Sequence, residues 1–315
     1  MEVIDRSTLE EKLLLTEELV SVIEEAFTAL ASRQVIMPEI MRIDISEFNG
    51  EVDIKSAYIP GYESFCVKLS TGFFDNPKKG LPTSNGMMIL IDSETGEIRK
   101  IFVDQGLLTD LRTAAAGAVA AKHVSKENSV SAGIIGTGSQ ARYQLEALTI
   151  VRSLKNVRVW GRSLEKAEKF KEEMEEKLGL PVTVTATAEE VVRKSDIVVT
   201  TTPASEPIVQ AEWLHLGLHI TAMGSDAEHK QELSEEVLAT ADVVTCDSLL
   251  QSRRLGELRA CNDNNIIENT IELGEITGKG VVARRNEEQI TVTDLSGTGA
   301  QDTAIARYAN QIIGG

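Results

Sequence analysis

Apolar residues in the first third of the chain follow two different periods. Over residues 16–33, Leu19, Ile23, Ala26, Phe27 and Leu30 recur at helical spacing and predict an amphipathic helix. Thr16 is placed to cap it, and Glu17 and Glu18 stand in its first turn, where the helix dipole favours carboxylates. Five short strand-like segments follow, at 40–45, 52–57, 65–70, 87–92 and 98–103. Turn formers separate them: Asn49-Gly50, Pro60-Gly61, Asn76-Pro77 and Glu94-Thr95-Gly96. Strands joined by links this short pair antiparallel. A helix rich in small residues is expected next, over 111–123.

From Val130 the pattern changes to strands alternating with helices. Strands are expected at 131–135, 157–160, 182–185, 197–202, 219–223, 243–247 and 290–295. Helices are expected after the first of these, at 164–178, at 189–194 and at 299–313. Such alternation implies parallel pairing with helices on both sheet faces. The expected class is α/β, a doubly wound parallel sheet preceded by an antiparallel α+β region. Two domains are expected, 1–122 and 123–298, with the terminal helix 299–315 returning to the first.

Composition narrows the function. A net charge of −17 argues against a nucleic-acid or anionic-membrane binder, because those need basic footprints. An anionic substrate is still allowed, since cations can gather inside an otherwise acidic protein. No apolar run approaches the length of a membrane span, and the first residues lack the basic and apolar regions of a signal peptide. Cys66, Cys246 and Cys261 are widely spaced and odd in number, which points to a reducing, cytoplasmic setting. His123, His215, His219 and His229 show no ligand spacing, so no metal is expected.

The chemistry starts at Gly136-Thr137-Gly138-Ser139-Gln140-Ala141, a G-x-G-x-x-A turn between a strand and a helix. Gly136 permits the turn, Gly138 lets a diphosphate approach the backbone, and Ala141 allows close helix packing. The helix N-terminus then offers N–H groups to phosphate. These six residues, with Thr201 at the end of a later strand, form the expected cofactor set. The tip of the second strand carries Arg162 and Ser163 and no carboxylate. That pairing suits a 2′-phosphate, so the cofactor is read as NAD(P), leaning to NADP. The other reading is that Ser163 caps the next helix and Arg162 is solvated.

Three cations sit among apolar or small neighbours: Arg42 in Met41-Arg42-Ile43, Lys68 in Val67-Lys68-Leu69, and Arg112 in Leu111-Arg112-Thr113. Each is a candidate for holding an anion; a salt bridge or a solvent-facing position is the ordinary alternative. Asp226, in Gly224-Ser225-Asp226, follows a strand at the expected carboxyl edge of the sheet, where ligands bind in open α/β folds. It could move a proton, or serve as a cap or loop hydrogen-bond acceptor.

In this order the motifs resemble the ornithine cyclodeaminase/μ-crystallin family over essentially the whole chain. The resemblance rests on Met41-Arg42-Ile43, on Lys68 with 72–77 (Gly-Phe-Phe-Asp-Asn-Pro), on Gly80-Leu81-Pro82 and on 108–116 around Arg112. It continues through 136–141, Gly224-Ser225-Asp226 and 294–302 (Asp-Leu-Ser-Gly-Thr-Gly-Ala-Gln-Asp). It implies a Rossmann domain, a substrate domain that also forms a homodimer, and NAD(P)-dependent chemistry at an amino-acid carbon. By position Arg42, Lys68 and Arg112 match the family's substrate-carboxylate residues, and Asp226 its proton-transfer carboxylate. Lys68 is also a candidate to polarise the substrate or relay a proton. The 72–77 stretch resembles the ectoine-utilisation branch, whose relatives include iminosuccinate reductases. A second substrate carboxylate would need further donors, for which Ser70, Thr71 and Asn85 are candidates. The leading expectation is an imine reductase, reversible as an amino-acid dehydrogenase. An ornithine-type cyclodeaminase is the alternative, and a non-enzymatic ligand binder the third.

Overall fold

The computed structural model describes residues 2–314. They divide into two units, one made of the chain up to Arg112 with the stretch from Thr298 onward, the other of Thr113–Gly297. The first unit contains β1 (Glu2–Asp5), α1 (Arg6–Lys12), α2 (Glu17–Ser32), β2 (Met41–Ile45), β3 (Gly50–Ala57), β4 (Ser64–Phe73), β5 (Ser84–Asp92) and β6 (Ile98–Val103). The next helix, α3 (Leu107–Val124), carries the boundary between the units. The Thr16 hydroxyl caps α2 by accepting from Leu19 N at 3.3 Å. The strands form one sheet in the order β1-β6-β5-β4-β3-β2, antiparallel except for the β1–β6 pair. Neither β1 nor α1 was expected: with only Ile4 and Leu9 buried, neither shows a readable period.

Strand alternation gives this sheet two unlike faces. Register places Arg42, Glu51, Asp53, Lys55, Lys68 and Ser70 on one face, with Cys66, Met88, Leu90 and Phe102. The C-terminal helix, Gly299–Gly314, packs on β3, β4 and β5. Thr303 locks it there: its hydroxyl donates to Ala57 O (2.8 Å) and accepts from Cys66 N (3.0 Å). Gly299 is required at its start, since a Cβ there would lie 2.3 Å from Ser56 O. The opposite face carries Ile43, Val52, Ile54, Val67, Leu69, Met87, Ile89 and Ile101, none of them fully buried.

The second unit runs β7 (Ser131–Ile135), α4 (Ser139–Val151), β8 (Asn156–Trp160), α5 (Leu164–Leu178), β9 (Val182–Val184), α6 (Ala188–Arg193), β10 (Ile197–Thr200) and β11 (His219–Ala222). It continues with α7 (Glu235–Thr240), β12 (Val243–Cys246), α8 (Leu249–Ser252), α9 (Asn264–Asn269), β13 (Ile271–Glu272), α10 (Leu273–Lys279) and β14 (Thr291–Asp294). Its strands form a parallel sheet in the order β13-β12-β14-β11-β10-β7-β8-β9. Ile197 and Val199 enter a core with Leu145 and Phe170, while Val198 enters another with Val191 and Val237. Both faces are therefore covered, which is why β10 reads as a continuous apolar run. This is the expected α/β class, a Rossmann-type doubly wound sheet plus an antiparallel α+β unit. The short helices α7 to α10 and the two-residue β13 were not foreseen; they are too short to show a period. Among the described residues no helix is long and apolar enough to cross a membrane.

Candidate active site

In the first unit, β4 supplies Lys68, α3 supplies Arg112, and the C-terminal helix supplies Gln301 and Asp302. All four are buried: Lys68 is 2% exposed, Arg112 6%, and Gln301 and Asp302 0%. Lys68 Nζ lies 3.1 Å from Asp302 Oδ1 and Oδ2, and Arg112 Nε lies 3.0 Å from Asp302 Oδ1. Arg112 Nη1 donates to Gln301 Oε1 at 3.0 Å. Lys55, 8% exposed, is the direct cross-strand partner of Lys68, and its charge acts on both Lys68 and Asp302. Burial lowers Lys68 to about 8; Asp302 opposes the drop, while Arg112 and Lys55 add to it. Burial raises Asp302, but Lys68, Arg112 and Lys55 outweigh it and leave the carboxyl below its ordinary range. Asp104 stands nearby, raised to about 6 by burial, with its Oδ2 accepting from Leu108 N at the start of α3. Three cations thus act on one firmly ionised carboxylate. Cations outnumber the carboxylate they surround, so the cluster is an electropositive site, the kind of setting that attracts an anion.

The structure does not gather every expected substrate residue here. Arg42 is 21% exposed at its side chain and faces three carboxylates: Asp44 (2.9 Å), Glu51 (2.5 Å) and Asp53 (3.6 Å). Ser70 shares the face of Lys68, and its hydroxyl reaches Asp53 O at 3.4 Å. Thr71 and Asn85 are partners across β4 and β5, and alternation turns them to the opposite face from Lys68. Asn85 is exposed, and its Oδ1 accepts from Gly86 N at 2.8 Å.

In the second unit the glycine turn lies between β7 and α4. Gly136 has φ +123°, and a Cβ there would lie 2.4 Å from the Thr201 hydroxyl. Thr201 N donates to Ile135 O at 2.9 Å, which fixes the turn to the end of β10. A Cβ on Gly138 would meet nothing within 4 Å, and no side chain caps α4 there. Open space above Gly138 and an uncapped helix start suit a diphosphate. Thr137, Ser139 and Gln140 lie in the same turn, and Ala141 is fully buried beneath it. At the tip of β8, a Cβ on Gly161 would lie 2.7 Å from Thr137 Cγ2. Arg162 follows, exposed, and the Ser163 hydroxyl caps α5 by accepting from Lys166 N at 3.3 Å.

Asp226 lies in the loop after β11, its side chain 48% exposed, with Lys230 Nζ 2.7 Å from Oδ1. The Ser225 hydroxyl donates to Lys230 O at 2.7 Å and closes the same loop. Four contributors had no site role assigned from the sequence. Gln301 and Asp302 close the 294–302 motif, but they lie 189 and 234 positions from the cations they hold, and no local pattern joins them. Lys230 could have been found from its four-residue offset to Asp226. Arg142 directly follows the fingerprint; its Nη1 donates to Thr137 O (2.7 Å) and Gly138 O (3.1 Å), bracing the turn.

The ornithine cyclodeaminase/mu-crystallin family model matches residues 2–313. The chain belongs to that family. An uncharacterized cyclodeaminase of Sinorhizobium fredii is 47% identical, with 99% of this chain and 95% of its own covered. The Thermococcus litoralis Δ1-pyrroline-2-carboxylate reductase, solved in complex with NADH and L-proline, has TM-score 0.93 and 30% identity, with 99% and 97% covered. An archaeal alanine dehydrogenase dimer with bound NAD has TM-score 0.90 and 32% identity, with 99% and 95% covered. With reductases and dehydrogenases of this kind matching it end to end, the chain of this family is an oxidoreductase.

Proposed function

We propose that the chain is an NAD(P)H-dependent imine reductase, reversible as an amino-acid dehydrogenase, acting on a small 2-imino acid. The observation that carries this reading is the buried set Lys68, Arg112 and Lys55 around Asp302. Arg112 and Lys68 bind and orient the substrate carboxylate, the guanidinium by paired N–H donors and the ammonium as a point charge. Asp226 hands a proton to the imine nitrogen and, once ionised, stabilises the iminium cation. A bound nicotinamide supplies the hydride. The imine carbon gains that hydride, its nitrogen gains the proton, and the C=N double bond becomes C–N. Lys68, near 8, is a second group able to exchange a proton close to neutral pH. The relatives solved with NAD or NADH support a nicotinamide dinucleotide here, and exposed Arg162 at the tip of β8 supports a preference for NADPH.

One observation favours a second reading. Arg42 stands among Asp44, Glu51 and Asp53, a net-acidic patch that suits a cationic substrate side chain, as in an ornithine-type cyclodeaminase. Cofactor balance separates the two, because the reductase consumes reduced cofactor and the cyclodeaminase returns it. The test is a screen of oxaloacetate plus ammonia (a source of iminosuccinate), pyruvate plus ammonia and Δ1-pyrroline-2-carboxylate with NADH and NADPH, beside ornithine deamination. On the best substrate Asp226→Asn should lower kcat by about 10²–10⁴ with little change in cofactor affinity. Near-native turnover would transfer the proton role to Lys68 or water.

The partly exposed apolar face of the first sheet supports a homodimer formed through it, as opposed to one formed only through strand edges. Leu69→Glu on that face should shift the mass by light scattering from dimer to monomer. A wild-type monomer at micromolar concentration would end the assignment.

A further inference from the structure

Glu232 is fully buried and lies between two loops at the carboxyl edge of the second sheet. Its Oε1 accepts from Thr202 N (2.6 Å) and from the Thr202 hydroxyl (2.8 Å). Its Oε2 accepts from the Thr200 hydroxyl (2.6 Å) and from Gly224 N (2.7 Å). Thr200 and Thr202 bracket Thr201, which packs on Gly136 of the glycine turn. Gly224 begins the loop that carries Asp226. The two loops touch here: a Cβ on Gly224 would lie 2.1 Å from Thr202 O. Glu232 is itself fixed, because Glu257 accepts from Glu232 N (2.8 Å) and Leu233 N (3.1 Å).

We propose that Glu232 is a positioning residue that sets the Asp226 loop in register with the cofactor-binding turn. The inference rests on the assignment of Asp226 as the proton-transfer group. Its physical basis is the number and kind of donors. Two of the four are backbone N–H groups, one from each loop, and neither can turn into an acceptor. A carboxylate satisfies both at once. An amide cannot, since its NH₂ must face one of the two N–H groups. A misplacement of about 1 Å between reacting groups costs up to about 10²-fold in rate, so the tie matters to chemistry beyond its contribution to folding.

The experiment compares wild type, Glu232→Gln and Thr200→Val. Thr200→Val removes one hydroxyl donor, keeps the strand's β-branched shape and leaves the backbone donors in place, so it supplies a folded variant if the first fails. Hydrogen exchange at the Thr202 and Gly224 amides is read without any substrate. It should accelerate about tenfold or more in Glu232→Gln, and less in Thr200→Val. On the best substrate kcat should fall about 10–100-fold in Glu232→Gln and a few-fold in Thr200→Val, with KM and NADH affinity within about threefold. The double variant should lose no more than Glu232→Gln alone, because both changes break one network. Unchanged exchange at both amides, or unchanged kcat in a folded variant whose melting temperature alone has dropped, overturns the proposal. If wild type turns over none of the imino acids, the reductase reading fails, while the exchange data still decide whether Glu232 ties the loops.

Discussion

Asp302 in the first unit and Asp294 in the second are both fully buried carboxyls, yet they are displaced in opposite directions. Burial raises both. At Asp302 the charges of Lys68, Arg112 and Lys55 overcome burial and hold the group ionised. At Asp294 the opposing contacts are backbone N–H groups, chiefly of Glu257 and Leu258, and burial with the neighbouring Asp247 leaves it near 7. Glu257 is pushed well above its ordinary range by burial, Asp294 and Glu232. One region concentrates full charges, the other carboxyls among N–H and O–H donors. The difference follows from the contacts. Around Asp302 stand ammonium and guanidinium groups, whose full charges outweigh burial. A brace between backbone loops needs only acceptors, and tolerates a proton.

The sign of the pH dependence differs accordingly. Asp302 has its folded pKa below the unfolded value near 3.8, so it stabilises the fold above that value, and the contribution is lost as pH falls through its lowered pKa. Asp294 has its folded pKa raised, so the native state takes up a proton between 3.8 and about 7. Its contribution to stability declines as pH rises across that window.

The largest expected effect tests whether the charges of the first cluster depend on one another. Asp302→Asn leaves Lys68 and Arg112 without their carboxylate and should cost about 3–5 kcal/mol in urea unfolding at pH 7. A loss below 1 kcal/mol would mean that the cations are satisfied elsewhere. Gln301→Leu is narrower. It removes the acceptor of one Arg112 N–H and should cost about 1.5–3 kcal/mol, the range for a hydrogen bond to a charged group. The smallest effect sharpens the contrast. Asp294→Asn puts an amide NH₂ where Oδ1 has no hydrogen-bond partner and removes the titration, so stability at pH 6 should change by less than about 1 kcal/mol. Its melting temperature should then fall less than that of wild type between pH 5 and 8. A parallel decline in both proteins would place the titrating group elsewhere, with Glu257 the first to examine.

What was legible in the chain is local in origin. Helical spacing over 16–33 marks α2, and Thr16 marks its start, because both arise from neighbours within a few residues. The change from short linked strands to alternating strands and helices gives the two kinds of sheet. The glycine turn is legible because a strand, a sharp turn and a helix are contiguous in sequence. Lys68 and Arg112 are visible as cations in apolar surroundings, and Asp226 as a carboxylate after a strand.

The sequence by itself thus determined the α/β class, the place of the glycine turn and the names of several charged candidates. Tertiary structure decided which of them meet. It brought Asp302 to Lys68, turned Thr71 and Asn85 to the other face of the sheet, and placed Arg42 among acids. It also enclosed Glu232 between two loops whose donors come from Thr200, Thr202 and Gly224. Strand register and helix docking are set by burial summed over whole faces, whereas a site depends on single side chains across long gaps in the chain. A shift of one residue in a strand leaves composition unchanged and reverses every side chain on it.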